Sequence, residues 1–187
     1  SNLGVVRAVG SAVTRFREGD RIVTRNWHQS DYIMSESAPA VKVPANVDAE
    51  DAVWVHLYTL SAHCYRKAMF MPGETVAVVG LGVLGLGAVA LGPHFGARVV
   101  GLGNSPVRLK MAERMGAHAA FMSNDPDLET KLAEFTEGAG IDLVILTANP
   151  WPASRTAVDV VRDTGRVSIV ALPGRGEPQL DVAPLDM

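Results

Sequence analysis

Three glycines, Gly80, Gly82 and Gly85, stand in the order Gly-x-Gly-x-x-Gly directly after the apolar run Thr75-Val76-Ala77-Val78-Val79. Between a strand and a helix, this spacing builds a cradle for a pyrophosphate. Gly80 permits the tight turn out of the strand, Gly82 lets phosphate approach the backbone, and Gly85 lets the next helix pack close to the strand. The helix start, at Val83 and Leu84, offers free N–H groups and a partial positive charge to an anion. Nucleotide folds that select NAD place an acid about 20 residues beyond the motif, to hold the ribose 2′-hydroxyl. Here that position reads Gly103. Asn104 and Ser105 supply donors at a helix start and Arg108 a guanidinium one turn on, groups that suit a 2′-phosphate. The reading favours NADP, with NAD still open.

These residues need elements to hold them. From Thr75 to Ala97 no acid, Lys or Arg occurs, long enough to span ~30 Å of hydrocarbon. The glycines within it and the absence of aromatic or basic anchors at its ends argue against a membrane span. A β-branched strand over 75–79 and a helix over 84–95 explain it better. Short apolar runs then predict strands at 98–102, 119–122, 141–146 and 166–171. Helices fit between them: one after Ser105-Pro106, a hydroxyl cap with proline at the first helical position, and one carrying Leu128, Leu132 and Phe135 on one face. The last begins near Pro152 and is expected to bury Ala157, Val158 and Val161. The alternation implies a doubly wound parallel sheet, a Rossmann-type α/β fold. The first fifty residues instead alternate as strands at "GVVRAVG" and "DRIVTRNW" around a turn at "REGD", which implies antiparallel β structure. An amphipathic helix is expected from about Asp48 to Met71.

Bulk properties limit the partners. The chain has 187 residues, 48% hydrophobic and 20% charged, with a formal net charge of −3. No block of Lys or Arg offers a footprint for nucleic acid or an anionic membrane, so a small-molecule partner is expected. The single cysteine, Cys64, makes no intrachain disulfide, and no Cys/His spacing matches structural zinc; a reducing, cytoplasmic setting is expected.

The segments "GVVRAVGSAVTRFREGDRIV", "MPGETVAVVGLGVLGLGAVAL", "RLKMAERMGAHAAF", "GIDLVIL" and "GRVSIVALPG" resemble the medium-chain dehydrogenase/reductase superfamily, the zinc-type alcohol dehydrogenase relatives, in order and spacing. The resemblance implies part of a GroES-like β domain over 1–51 and a dinucleotide-binding domain over 52–187. It also implies a fragment, because the first two catalytic zinc ligands of such enzymes precede the matched strand and a further segment follows Met187. Thr59 matches the family's threonine near the nicotinamide, which puts the third ligand position at Val55, and valine binds no zinc. His56 is next to it and chemically able to coordinate, so His56 and Thr59 are the catalytic candidates, with no metal ligand assigned and catalytic zinc in doubt. Thr147 and Ala148 after the fourth strand, and Ala171 and Leu172 after the fifth, would line the cofactor path; His28 is a substrate-cleft candidate. The family's habit implies a homodimer or homotetramer. The activity implied is hydride transfer between a nicotinamide and an alcohol, carbonyl or activated alkene. A non-catalytic dinucleotide-binding module is the alternative, and a methyltransferase, which would want an acid for its cofactor's ribose, is disfavoured by Gly103.

Overall fold

The structure, a computed structural model, describes residues 2–26 and 31–171; His28 and Leu172 lie outside the described residues. The chain divides into two compact units, residues 1–59 and 60–187.

In the N-terminal unit, β1 (Asn2–Val5), β2 (Arg21–Thr24) and β3 (Ala40–Lys42) form an antiparallel sheet with β2 in the centre. The turn into β2 needs a left-handed residue, supplied by Gly19 at φ 85°. Asp20 locks it: its buried carboxylate accepts the Arg17 N–H at 3.1 Å and pairs with Lys42 Nζ at 2.6 Å. The apolar core here is small, with Val23, Val43 and Ala52 buried and Leu3 and Val47 packed beside them. The single helix expected from Asp48 is two. The first, α1 (Ala49–Ala52), carries Glu50 and Asp51 in its opening turn, where carboxylates favour the helix dipole. A turn at Val53-Trp54 then separates Ala52, in the core of this unit, from α2 (Val55–Lys67). Farther along α2, Cys64 and Tyr65 belong to the core of the second unit, so the break lets each helix bury its own residues. A left-handed Met69, φ 51°, follows the end of α2, and Phe70 N–H bonds back to the Tyr65 carbonyl.

The second unit is built on five parallel strands. They are β4 (Thr75–Val79), β5 (Arg98–Gly103), β6 (Ala119–Met122), β7 (Ile141–Leu146) and β8 (Val161–Ile169). Their order, β6-β5-β4-β7-β8, is the doubly wound pattern, and all pairs are parallel. The central strands are dry on both faces: Val76, Ala77 and Val78 are inaccessible to solvent, as are Leu143, Val144 and Ile145. One face packs against Ala88, Val89 and Ala112, which lie on α3 (Val83–Leu91) and α4 (Pro106–Arg114). The other packs against Leu128, Leu132 and Phe135 of α5 (Leu128–Thr136) and Ala157 of α6 (Trp151–Val160). The uncharged run is therefore a strand, a turn and a helix, and among the described residues no helix is long and apolar enough to cross a membrane.

Three local expectations change. Helix α3 stops at Leu91 and gives way to a single 3-10 turn, Pro93–Phe95. Gly92 at that junction has no room for a side chain, since a Cβ there would lie 2.4 Å from Val99 Cγ2 and 2.5 Å from the Tyr65 hydroxyl. At the other end of the sheet α6 ends at Val160, Val161 already pairs with Ile141, and β8 starts five residues before the expected Arg166. Val158 is consequently exposed, and Ala157 is the buried residue of α6. Edge pairing to β7 captures the chain as soon as the helix releases it.

Candidate functional site

The glycine turn occupies the switch point of the sheet, where β4 has β5 on one side and β7 on the other. Chains leaving β4 and β7 run to opposite faces here, opening a crevice beyond the carboxyl ends of the strands. Gly80 has φ 96°, a conformation that favours glycine, and a Cβ on it would meet Ala148 Cβ at 2.7 Å. Its N–H donates to the Leu102 carbonyl at 2.9 Å, and its carbonyl accepts the Thr147 hydroxyl at 2.6 Å. The turn is thus held from both neighbouring strands. Gly85 is buried in the first turn of α3, and a Cβ there would lie 1.8 Å from the Gly80 carbonyl oxygen.

Gly82 differs from both. It is the N-cap of α3 with φ −79°, a value any residue adopts, and a Cβ on it meets nothing within 4 Å. Nothing in the protein requires glycine there; the open space lies outside the backbone. Leu86 N–H bonds to the Gly82 carbonyl at 2.8 Å, whereas the N–H groups of Val83, Leu84 and Gly85 precede the intrahelical ladder and have no acceptor among the described residues. No acid stands in this turn or at its helix start. An anion is the partner that such a surface satisfies.

Beside it, the carboxyl end of β5 supplies Gly103, whose missing side chain leaves a would-be Cβ 3.1 Å from Leu81 Cδ1 of the glycine turn. Asn104 is exposed and Ser105 is the N-cap of α4. The expected hydroxyl cap is not made: Ser105 holds the helix through its carbonyl, which accepts the N–H groups of Arg108 and Leu109 at 3.0 Å each. Pro106 at the first helical position has no N–H to satisfy, which lightens the demand for a side-chain cap. Among the described residues nothing pairs with the side chains of Asn104, Ser105 or Arg108. A neutral donor pair and one guanidinium are therefore grouped at the end of β5, with no carboxylate before Glu113.

Thr147 and Ala148 meet the turn directly, Thr147 through its bond to Gly80 and Ala148 through close packing. Ala171 follows β8 and its N–H bonds to the Leu146 carbonyl at 3.3 Å. Two further features stand close to the turn in the fold or in the sheet order. Trp151 begins α6 at the same edge of the sheet, and its buried indole N–H has no partner among the described residues. Ser61 and Tyr65 of α2 donate hydroxyl hydrogens to the carbonyls of Leu84 and Ala88 in α3, at 2.8 and 2.7 Å.

His56 and Thr59 lie on α2 in the N-terminal unit. Burial, and after it the positive charge of Arg25, hold the His56 imidazole below its ordinary pKa of 6.5 and favour its neutral form. Thr59 is exposed and its hydroxyl donates to the Val55 carbonyl at 2.7 Å. Among the described residues no three of His, Cys, Asp and Glu converge as metal ligands. Cys64 is buried, donates to the Leu60 carbonyl, and is pushed further toward the thiol form by burial. Among the described residues, then, zinc has no complete ligand set, and the roles assigned below concern an organic cofactor and its reacting end.

Fold and turn together define an α/β protein of the doubly wound, nucleotide-binding class. Comparison with known proteins narrows this. The model of the family described as zinc-binding dehydrogenase matches residues 83–187, and the chain belongs to that family. It is 26% identical to sorbitol dehydrogenase of Bacillus subtilis over 96% of its own length and 60% of that protein. It is 28% identical to NADP-dependent isopropanol dehydrogenase of Thermoanaerobacter brockii, over 94% of this chain and 60% of that one. Among solved structures, a zinc-binding dehydrogenase of Clostridium scindens superposes with a TM-score of 0.82 at 22% identity, covering 97% of this chain and 59% of that one. The chain thus spans about three fifths of the length of these relatives.

Proposed function

We propose that this chain is the cofactor-binding part of an NADP-linked oxidoreductase, joined to part of a GroES-like β domain over residues 1–51. The observation that carries the reading is Gly82: open space over an N-cap that any residue could occupy, at the start of a helix whose first three N–H groups have no acceptor among the described residues. A dinucleotide pyrophosphate fills that space and satisfies those donors. Asn104, Ser105 and Arg108 take the 2′-phosphate that distinguishes NADP from NAD, and Gly103 leaves out the carboxylate that would repel it. The ribose and nicotinamide then run across the switch point past Thr147 and Ala148 toward Ala171. One relative is itself an NADP-dependent isopropanol dehydrogenase, and a mycobacterial structural neighbour was solved with NADPH; both support this choice.

The bound nicotinamide supplies the hydride chemistry. This chain's part is to hold it: the glycine turn fixes the pyrophosphate and the end of β5 fixes the adenosine. His56 and Thr59 are the groups assigned to the reacting end by the family resemblance, His56 able as a neutral imidazole to accept a proton from an alcohol and, once it is the imidazolium, to return one to a carbonyl oxygen. Titration of the chain with NADPH and with NADH, followed by the fluorescence of the reduced nicotinamide, tests the reading. NADPH binds more tightly, and Arg108→Glu removes that preference by placing a carboxylate where the phosphate sits. Equal affinity for the two cofactors, or a preference that survives Arg108→Glu, contradicts the assignment of the 2′-phosphate.

A further inference from the structure

The first turn of α3 is held by a residue that belongs to no glycine motif. Ser61, only 1% exposed on α2, donates its hydroxyl hydrogen to the Leu84 carbonyl at 2.8 Å. That carbonyl belongs to the same peptide group as the Gly85 N–H, one of the donors without an acceptor among the described residues. One turn farther along both helices Tyr65 repeats the contact, its hydroxyl on the Ala88 carbonyl, with its ring fixed edge-on between Phe70 and Phe95 at centroid distances of 5.3 Å. The two bonds differ in what they touch. Tyr65 bonds to a carbonyl near the end of α3, which also accepts the Gly92 N–H, whereas Ser61 bonds to the peptide that carries one of the acceptor-free N–H groups of the first turn.

We infer that Ser61 is a positioning residue for the dinucleotide pyrophosphate, acting through the Leu84–Gly85 peptide. A peptide whose carbonyl accepts a hydrogen bond is polarised, and its N–H becomes a stronger donor, by about 10–30% per bond in condensed-phase estimates. The same bond fixes the rotation of the peptide plane, so the Gly85 N–H is aimed before any phosphate arrives. Charge-assisted hydrogen bonds are the strong ones and depend on this alignment. The chain Ser61 hydroxyl, Leu84 carbonyl, Gly85 N–H and phosphate oxygen is a continuous relay from α2 into the site. This inference rests on the dinucleotide reading above and adds to it a residue outside the glycine turn.

The test compares two ligands. NADPH carries a pyrophosphate; adenosine 2′-monophosphate carries the adenosine and the 2′-phosphate without one. Ser61→Ala is expected to weaken NADPH about three- to tenfold, the scale of one polarised and aligned donor to a charged group, and to leave adenosine 2′-monophosphate, measured by displacement of NADPH, unchanged. Ser61→Cys keeps the side-chain size and a weaker donor, and falls between the two; it carries the same comparison should Ser61→Ala fold poorly. NADPH affinity equal to wild type in both variants overturns the inference, and so does an equal loss for both ligands, which marks general loosening of the helix pair. Wild-type chain that binds neither NADPH nor NADH overturns the dinucleotide reading, and this inference with it.

Discussion

The two sheets of this chain are built from similar residues and end in different conditions. The parallel sheet of residues 60–171 closes its interior: Val76 through Val79 and Leu143 through Leu146 are at most 3% exposed, sealed by helices on both faces. The antiparallel sheet of the N-terminal unit does not. Its buried apolar residues are only Ile22, Val23, Ala40, Val43 and Ala52 among the described residues, while Val5, Val41 and Ile33 face solvent. A groove of about 1030 Å³ runs beside β1 between residues 2–10 and 31–36. None of the glycine-turn residues lines it. The groove lies beside a thinly covered apolar core, whereas the open space over Gly82 lies at the start of a helix whose first N–H groups have no acceptor among the described residues.

The comparison breaks first at Gly85. Gly85→Val would drive a Cβ to 1.8 Å from the Gly80 carbonyl, an overlap that only a shift of α3 away from β4 relieves. Loss of the cooperative unfolding transition of the second unit is expected, measured by circular dichroism on heating, with a cost above about 3 kcal/mol. A smaller effect comes from the cores themselves. Leu143→Ala, in a fully closed site, should cost about 2–5 kcal/mol. Val23→Ala, in the thinly covered sheet, should cost about 1–2 kcal/mol. Chemical denaturation of each variant gives the two values; equal costs would show that the N-terminal core is as well sealed as the parallel one.

The smallest effect depends on pH. Lys42, donating to the Asp20 carboxylate, and the Arg17 N–H after it hold the Asp20 pKa below its ordinary 3.8. A carboxyl whose pKa is lowered by folding contributes stability above its unfolded pKa and loses it as pH falls through the folded one. Lys42→Met removes the larger cause, so the Asp20 pKa rises, and the window in which acid loosens β2 moves up with it. Titration of the Asp20 carboxyl by NMR shows the shift. An unmoved pKa would mean that the ion pair does not form in solution.

Much of the second unit was legible because local and tertiary demands coincide there. A β-branched run flanked by Pro72-Gly73 and a glycine turn has one good solution, a strand buried on both faces, and the strands at 98–103, 119–122 and 141–146 follow from equally short apolar runs. What stayed hidden depends on partners distant in sequence. The break at Val53-Trp54 is invisible in a continuous amphipathic pattern, because it serves two different cores. The early start of β8 is set by the edge of β7, which claims Val161 against the helical pattern that precedes it. Within the site, the glycines and Gly103 announce themselves by spacing. Thr147 is named by the family resemblance, but its bond to the Gly80 carbonyl is not foreseen, nor is that of Ser61 to the Leu84 carbonyl, since a lone hydroxyl in an apolar stretch carries no sign of which backbone group it will meet.

Gly82 separates the ligand from the fold more cleanly than any other position, since the protein itself leaves both its space and its backbone angles free. The deciding measurement is Gly82→Val, with thermal unfolding and NADPH titration performed on the same sample. An unchanged melting temperature and no detectable NADPH binding are expected, because the valine side chain occupies the path of the pyrophosphate and nothing else. A variant that melts as wild type and still binds NADPH with wild-type affinity would contradict this, by showing that the dinucleotide does not pass over this turn.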